Sequence, residues 1–215
     1  MSDMDEGVLV VGTGGHARFV LATLEKAQRL VKGLITLDDS YSSDELILSK
    51  RIIGTVGDLP CFFSKGDKSL VLAVGDNEVR KEIYHVWAEF GFLFPTVIHP
   101  DAFVDPSVSV GAANIVGPKV VIGASVTIGE NNIINSSCVV EHESVIGSHC
   151  HIAPGAVICG RVVLGDEVMV GANGTIIDYL TVANKTLLGA GATLIHSVSI
   201  EGQTLVGSPA RSILA

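Results

Sequence analysis

The stretch "VVEHESVIGSHCHIAPG", residues 139–155, decides the reading of this chain. Val140, Ile146 and Ile152 stand six apart, and the charged residues between them never break that register. Followed outward, the pattern holds: every sixth residue from Ile98 to Val206 is Val, Ile or Leu. The next position is often glycine, as at Gly111, Gly123, Gly129 and Gly147, and two residues before each aliphatic sits a small or branched residue such as Val120, Cys138, Ala156 or Val162. A hexapeptide period of this kind predicts a parallel β-helix solenoid, with one short strand and one turn per hexad and three hexads per coil. The aliphatics then stack in columns down the interior, each worth roughly 1.5–3 kcal/mol gross on burial. Such a core needs no aromatic residues, in keeping with 47% hydrophobic but only 5% aromatic composition. Cys138 and Cys150 fall at inward positions and read as small core hydrophobes.

The first half has a different period. "VLVVG" (8–12), "GLITLDD" (33–39) and "SLVLAVGDN" (69–77) read as strands, while 16–30 and 78–92 carry apolar residues at helical spacing. This β-α-β…β-α order predicts a small parallel Rossmann-like sheet over residues 1–97, followed by the all-β solenoid over 98–215. "GTGGHA" (12–17) fits G-x-G-x-x-A between a strand and a helix, with Asp38 or Asp39 further on. A glycine turn at a helix N-terminus lets a phosphorylated ligand approach the backbone. The motif itself leaves three readings open: a nucleotide sugar, an NAD-like dinucleotide, or a structural turn.

Composition narrows the partners. A formal net charge of −9 argues against a nucleic-acid backbone or an anionic membrane surface. No run reaches the roughly 18 apolar residues of a membrane span. The four cysteines show neither CxxC nor zinc-type spacing, and no signal peptide is in view, so a cytoplasmic protein with reduced thiols is expected.

Polar residues aimed into the apolar columns would be costly, and the period places those of 139–155 elsewhere. His142, two after Val140, falls at a corner of the coil with Glu141 and Glu143 beside it. A turn favours Gly, Asn or Asp there, so Glu-His-Glu is not a scaffold requirement. His151 directly precedes Ile152 and points outward from the middle of a face, half a coil from His142. His149, His85 and His196 read as ordinary surface residues, and His99 as shaping the chain path into the solenoid.

The stretches "VVGTGGHARFV", "ITLDD", "AVGDNEVRKEI", "VIHPDAFV", "INSSCVVEHESVIGSHCHIAPGAVICG" and the "GSPAR" tail together resemble the bacterial nucleotide-sugar N-acetyltransferases of the left-handed β-helix hexapeptide-repeat family. That subgroup includes the bacillosamine-pathway UDP-4-amino-sugar acetyltransferases, the GDP-perosamine N-acetyltransferases and the sialic acid O-acetyltransferases. The resemblance implies acetyl-CoA-dependent acetylation of an amino group, at C4, on a nucleotide-linked amino-deoxy sugar, with UDP ahead of GDP and no metal. It implies a homotrimer with active sites between subunits.

The resemblance also assigns residues. His142 is the expected general base, Glu143 its orienting partner, and Asn135 a further catalytic position. Gly14, Gly15, His16, Asp38, Asp39, Gly75 and Asn77 are expected to bind the nucleotide sugar, with His151 reaching substrate across the subunit interface. Gly160, one coil after His142, is expected to offer its N–H to the thioester carbonyl, and one coil of rise is about 4.8 Å. Ala172, Gly189, Pro209 and Arg211 complete the expected acetyl-CoA set. Arg80 could meet a phosphate or be a solvated helix residue. Two alternatives remain: O-acetylation of a sialic-type sugar by the same base, and a trimeric metal-dependent hydratase using His142, His149 and His151.

Overall fold

The computed structural model describes residues 7–38, 40–41 and 44–213, which form two compact units, 1–99 and 100–215. In the first, β1 (Val8–Val11), α1 (Gly15–Lys26), β2 (Val31–Thr36) and α3 (Asn77–Phe90) lie where the hydrophobic periods put them. The sequence reading missed β3 (Leu46–Ile47), β4 (Lys50–Thr55) and α2 (Leu59–Ser64). They are short, and Gly54 and Pro60 disguise them. With β5 (Leu70–Leu72) the sheet order is β3-β4-β2-β1-β5, parallel except for the β3–β4 hairpin. Every residue of β1 is buried, as a central parallel strand covered on both faces requires. The carboxyl ends of β1, β2 and β5 all open on one edge, the place where such sheets bind ligands.

The second unit is a left-handed parallel β-helix. Two-residue strands repeat on three faces. The first face carries Val139–Val140 and its stacked equivalents, the second Val145–Ile146, and the third His151–Ile152. Register is eighteen residues per coil: Val140 pairs with Ile158, Ile146 with Leu164, and Ile152 with Val170. At each corner one residue takes positive φ, including Glu143 (58°), His149 (62°), Arg161 (59°) and Tyr179 (62°). Its N–H bonds to the coil before: Glu143 to the carbonyl of Ala124, Arg161 to that of His142, and Tyr179 to that of Gly160. These stacked bonds offset the left-handed backbone that non-glycine residues resist.

The aliphatic column is buried from Val116 to Leu194 with no position more than 2% exposed. Cys138 and Cys150 are fully buried beside it, in the second inward column, as expected. The second inward column also holds Asn114, Asn132 and Ser144. Their side chains accept from the next coil: Asn114 from Asn132 N–H, Asn132 from Cys150 N–H, and Ser144 from Val162 N–H. The stacked backbone supplies partners for these side-chain oxygens, while Asn132 Nδ2 is buried without a hydrogen-bond partner among the described residues.

The nineteen-position column fails at its ends. Val104 and Val110 are only partly buried, Ile98 is 37% exposed, Ile200 63% and Val206 40%. At the carboxyl end the coil shortens. Val182 bridges Val198, sixteen residues on, and Leu188 pairs with Leu205, seventeen on. Val198 and Leu205 thereby take the inward places that the period assigned to Ile200 and Val206. The chain then turns back, and Arg211–Ser212 pairs antiparallel with Leu205–Val206. A terminal coil has no neighbour beyond it to enforce register.

Candidate active site

The expected base sits at the corner between the first and second faces. His142 Nδ1 lies 3.0 Å from a Glu143 carboxylate oxygen. Both side chains are about half exposed, 52% and 47%. The hydrogen bond from His142, followed by that from Arg161, holds the Glu143 carboxyl below its ordinary pKa. The carboxylate thus stays charged and ready to fix the imidazole tautomer, leaving Nε2 to face outward. Gly160 lies one coil along. A Cβ built there would come within 2.9 Å of both Cε1 and Nε2 of His142, so the ring edge rests over this glycine. The Gly160 N–H has no hydrogen-bond partner among the described residues. An imidazole nitrogen and an unused N–H thus share one small patch.

Arg161 and Tyr179 were not foreseen. Arg161 NH2 is 2.8 Å from the same Glu143 oxygen that faces His142, and its NH1 hydrogen-bonds the Tyr179 hydroxyl. The guanidinium also stands 5.3 Å from the Tyr179 ring centroid. The signal was available, because 143, 161 and 179 are spaced by one coil each and so stack on one corner.

The other expected residues gather at a different corner. Asn135 donates from Nδ2 toward His151 Nε2 at 3.3 Å, and its Oδ1 accepts from Ser136 N–H. Asn135, Ala172 and Gly189 lie between the third and first faces, one face away from His142. His151 lies on the third face, opposite the His142 corner. Two expectations are corrected here. His151 points outward yet is only 9% exposed, and His149, read as a surface bystander, is 6% exposed with Nδ1 2.9 Å from Asn131 Nδ2. His142, His149 and His151 each face a different side-chain partner and do not converge. Among the described residues no group of three His, Cys, Asp or Glu is placed to hold a metal ion. Pro209 and Arg211 lie exposed on the terminal hairpin.

In the first unit, Gly12, Gly14, Gly15, His16, Asp38 and Gly75 line one cleft of about 480 Å³. Gly12 has φ +117°, and a Cβ there would meet the Ala73 carbonyl at 2.6 Å, so the turn out of β1 demands glycine. Gly14 and Gly15 differ: a Cβ on either would meet nothing within 4 Å, so the space above them is open rather than packed. Gly14 caps α1 without a side-chain hydrogen bond, and the first turn carries no acid. The N–H groups at this helix start are therefore available to an anion. Asp38 sits across the cleft with its pKa lowered by hydrogen bonds from the Ser40 backbone and hydroxyl. Asp39 lies outside the described residues.

Asn77 does not line this cleft. Its Oδ1 accepts from Arg80 NH2 at 2.9 Å. Arg80 itself is 1% exposed, neither solvated nor free for a phosphate, and its NH1 donates to the carbonyls of Val74, Gly75 and Asp76. It ties down the loop that forms one wall. A larger hollow of about 660 Å³ opens at the carboxyl end of α1, beside Glu25, Arg29 and Lys50. That end of a helix repels anions, and no catalytic candidate lies there.

Residues 7–87 match the family described as the PglD N-terminal domain, and residues 95–193 that described as the GMPPB C-terminal domain. Among solved structures, a His-to-Ala mutant of GDP-perosamine N-acetyltransferase from Caulobacter crescentus, in complex with CoA and GDP-perosamine, superposes with a TM-score of 0.91 at 29% identity, covering 99% of both chains. The acetyltransferase domain of PglB from Neisseria gonorrhoeae gives 0.90 at 29% identity, covering 97% of this chain and 100% of that one. The same domain has also been solved with acetyl coenzyme A. WeeI from Acinetobacter baumannii, at 22% identity, a TM-score of 0.84 and coverage of 96% and 99%, shares the fold. No curated protein matches significantly.

Proposed function

We propose that this chain, similar along almost its whole length to nucleotide-sugar N-acetyltransferases of the hexapeptide-repeat family, transfers the acetyl group of acetyl-CoA to the amino group, at C4, of a nucleotide-linked amino-deoxy sugar. The observation that carries the reading is the His142–Glu143 pair poised over Gly160. In the proposed reaction the neutral substrate amine attacks the thioester carbon, and His142 takes the one proton that the nitrogen sheds. The tetrahedral oxyanion accepts from Gly160 N–H, and collapse expels CoA thiolate, to which the imidazole returns its proton. Glu143 orients the ring and offsets its transient charge.

The α1 cleft is assigned to the nucleotide sugar, its diphosphate at the helix start and Asp38 facing the nucleoside. The relative with a bound sugar nucleotide carries GDP, while UDP was the expectation from sequence. Both bases belong in any substrate panel. The solenoid is assigned to acetyl-CoA. Because Asn135 and His151 stand a corner away from His142, a homotrimer in which a neighbouring subunit brings that corner to the base accounts for both groups. The reaction is assigned to the cytoplasm, in keeping with four free cysteines.

The test is turnover with acetyl-CoA against UDP-, GDP- and CMP-linked sugars with amino or hydroxyl acceptors, read as free thiol and as a gain of about 42 Da, one acetyl for one hydrogen, by mass spectrometry. Acetylation of a nucleotide-linked 4-amino sugar is expected, and turnover only on a sialic-type hydroxyl would replace this reading with the O-acetyl one. His142→Ala is expected to lower kcat about 10²-fold or more. Near-normal turnover would remove it as the base.

A further inference from the structure

One carboxylate oxygen of Glu143 faces both the His142 imidazole and the Arg161 guanidinium. It lies 3.0 Å from His142 Nδ1 and 2.8 Å from Arg161 NH2. Arg161 is itself held from three directions: by Glu143, by the Tyr179 hydroxyl and ring, and through its backbone N–H bonded to the His142 carbonyl at 3.0 Å. Such bracing is unusual for a surface arginine, whose long side chain ordinarily samples many rotamers. A scaffold corner needs neither an arginine nor a tyrosine, since these residues stand at positive φ, where bulky side chains are disfavoured.

We infer that Arg161, braced by Tyr179, is a positioning residue for the base: it pins Glu143 onto His142 and shares the carboxylate's charge, so that the imidazole is held in one orientation. The inference rests on the proposed role of His142. A carboxylate bonded to imidazole alone favours the imidazolium, which cannot accept a proton. A guanidinium on the same oxygen draws off part of that field, while its planar fork fixes the carboxylate's direction. The other ionisable groups around this corner are Glu141, Asp178 and Cys159. Burial, and after it the charges of Asp178 and Glu141, pushes the Cys159 thiol up. Arg161 is the cation that counters Glu143 here.

Two measurements separate this role from a merely structural one. The first is the pH titration of the His142 imidazole by NMR in the full-length protein, which needs no turnover. The second is the pH profile of kcat/KM. Arg161→Met is expected to move the His142 titration and the acid limb of kcat/KM upward together, because a cation is removed from the carboxylate they share. It should also lower kcat several-fold, with the KM for acetyl-CoA little changed. Arg161→Lys keeps the charge but not the fork, so its titration should stay near wild type while kcat falls. Tyr179→Phe, which keeps the ring and removes the hydroxyl, should lie between wild type and Arg161→Met, and it serves if the methionine variant folds poorly. An unmoved titration in both Arg161→Met and Tyr179→Phe overturns the inference. If the titration moves but His142→Ala turns over normally, the coupling stands and the catalytic role of His142 fails instead.

Discussion

At the scale of single residues, Gly160 shows how a glycine can be demanded by a side chain of the preceding coil rather than by the backbone. The atoms that a new Cβ would meet are the far edge of the His142 ring, not main chain. The ring can swing away, so the fold should tolerate a methyl group while the base is displaced. Gly160→Ala is therefore expected to leave the melting temperature within a degree or two and to lower kcat by about 10²-fold, the scale of a 1 Å misplacement. Loss of folding in circular dichroism would contradict this. Glu143 adds a pH dependence. Its pKa is depressed in the folded protein, so its bonds to His142 and Arg161 contribute above the ordinary carboxylate range and are lost as pH falls through the folded value. The Arg161–Glu143 contact should thus persist at pH 5 and weaken only in more acidic solution, as followed by the Glu143 carboxyl shift in NMR. His142 was legible in the sequence because the hexad placed it off the core. Arg161 was passed over because a lone surface arginine carries no signal until its one-coil spacing from Glu143 is noticed.

Among the elements, the loop between β5 and α3 is where sequence reading went furthest astray. Asn77 reads as a ligand contact and Arg80 as either a phosphate contact or a solvated helix residue, yet the two side chains bond each other, and Arg80 NH1 donates to loop carbonyls. A buried guanidinium removed from such a loop leaves several carbonyls without partners. Arg80→Met is expected to raise the KM for the nucleotide sugar about tenfold, with the KM for acetyl-CoA unchanged, because the wall of only one cleft is loosened. Steady-state kinetics with each substrate varied in turn tests this, and equal rises in both constants would count against it. Helical spacing put Arg80 on a surface helix, and no one-dimensional pattern reveals that the α3 N-terminus tucks it under a neighbouring loop. The solenoid faces behave differently. Ile152 lies mid-column and fully buried, so Ile152→Ala should cost about 2–5 kcal/mol by thermal or denaturant unfolding.

For the whole molecule, the period separates two sets of residues that acyl transfer would need together. His142 and Gly160 occupy one corner, Asn135 another, and His151 the opposite face. If a trimer joins them across subunits, two inactive variants should complement each other. Co-expressed His142→Ala and His151→Ala chains, mixed at random, should restore up to about a quarter of the sites, those pairing an intact His142 with an intact His151 from the neighbour. Activity no greater than the sum of the two homotrimers would show that each chain works alone. None of the described helices is long and apolar enough to cross a membrane.

The sequence by itself determined the solenoid, its coil of eighteen, the inward columns including Cys138 and Cys150, and the corner that carries His142. A one-dimensional period with a stacking core is its own geometry, since each coil contacts only the next. It also determined the strand–glycine–helix start of the first unit, because a backbone turn and a helix N-terminus are local. Only the tertiary structure decided that Arg161 and Tyr179 complete the Glu143 corner, that Arg80 is buried, that His149 and His151 are covered, and that the last coil shortens to put Val198 and Leu205 inside. Each of these depends on which side chains meet across space, or on a terminal coil with no neighbour to hold its register.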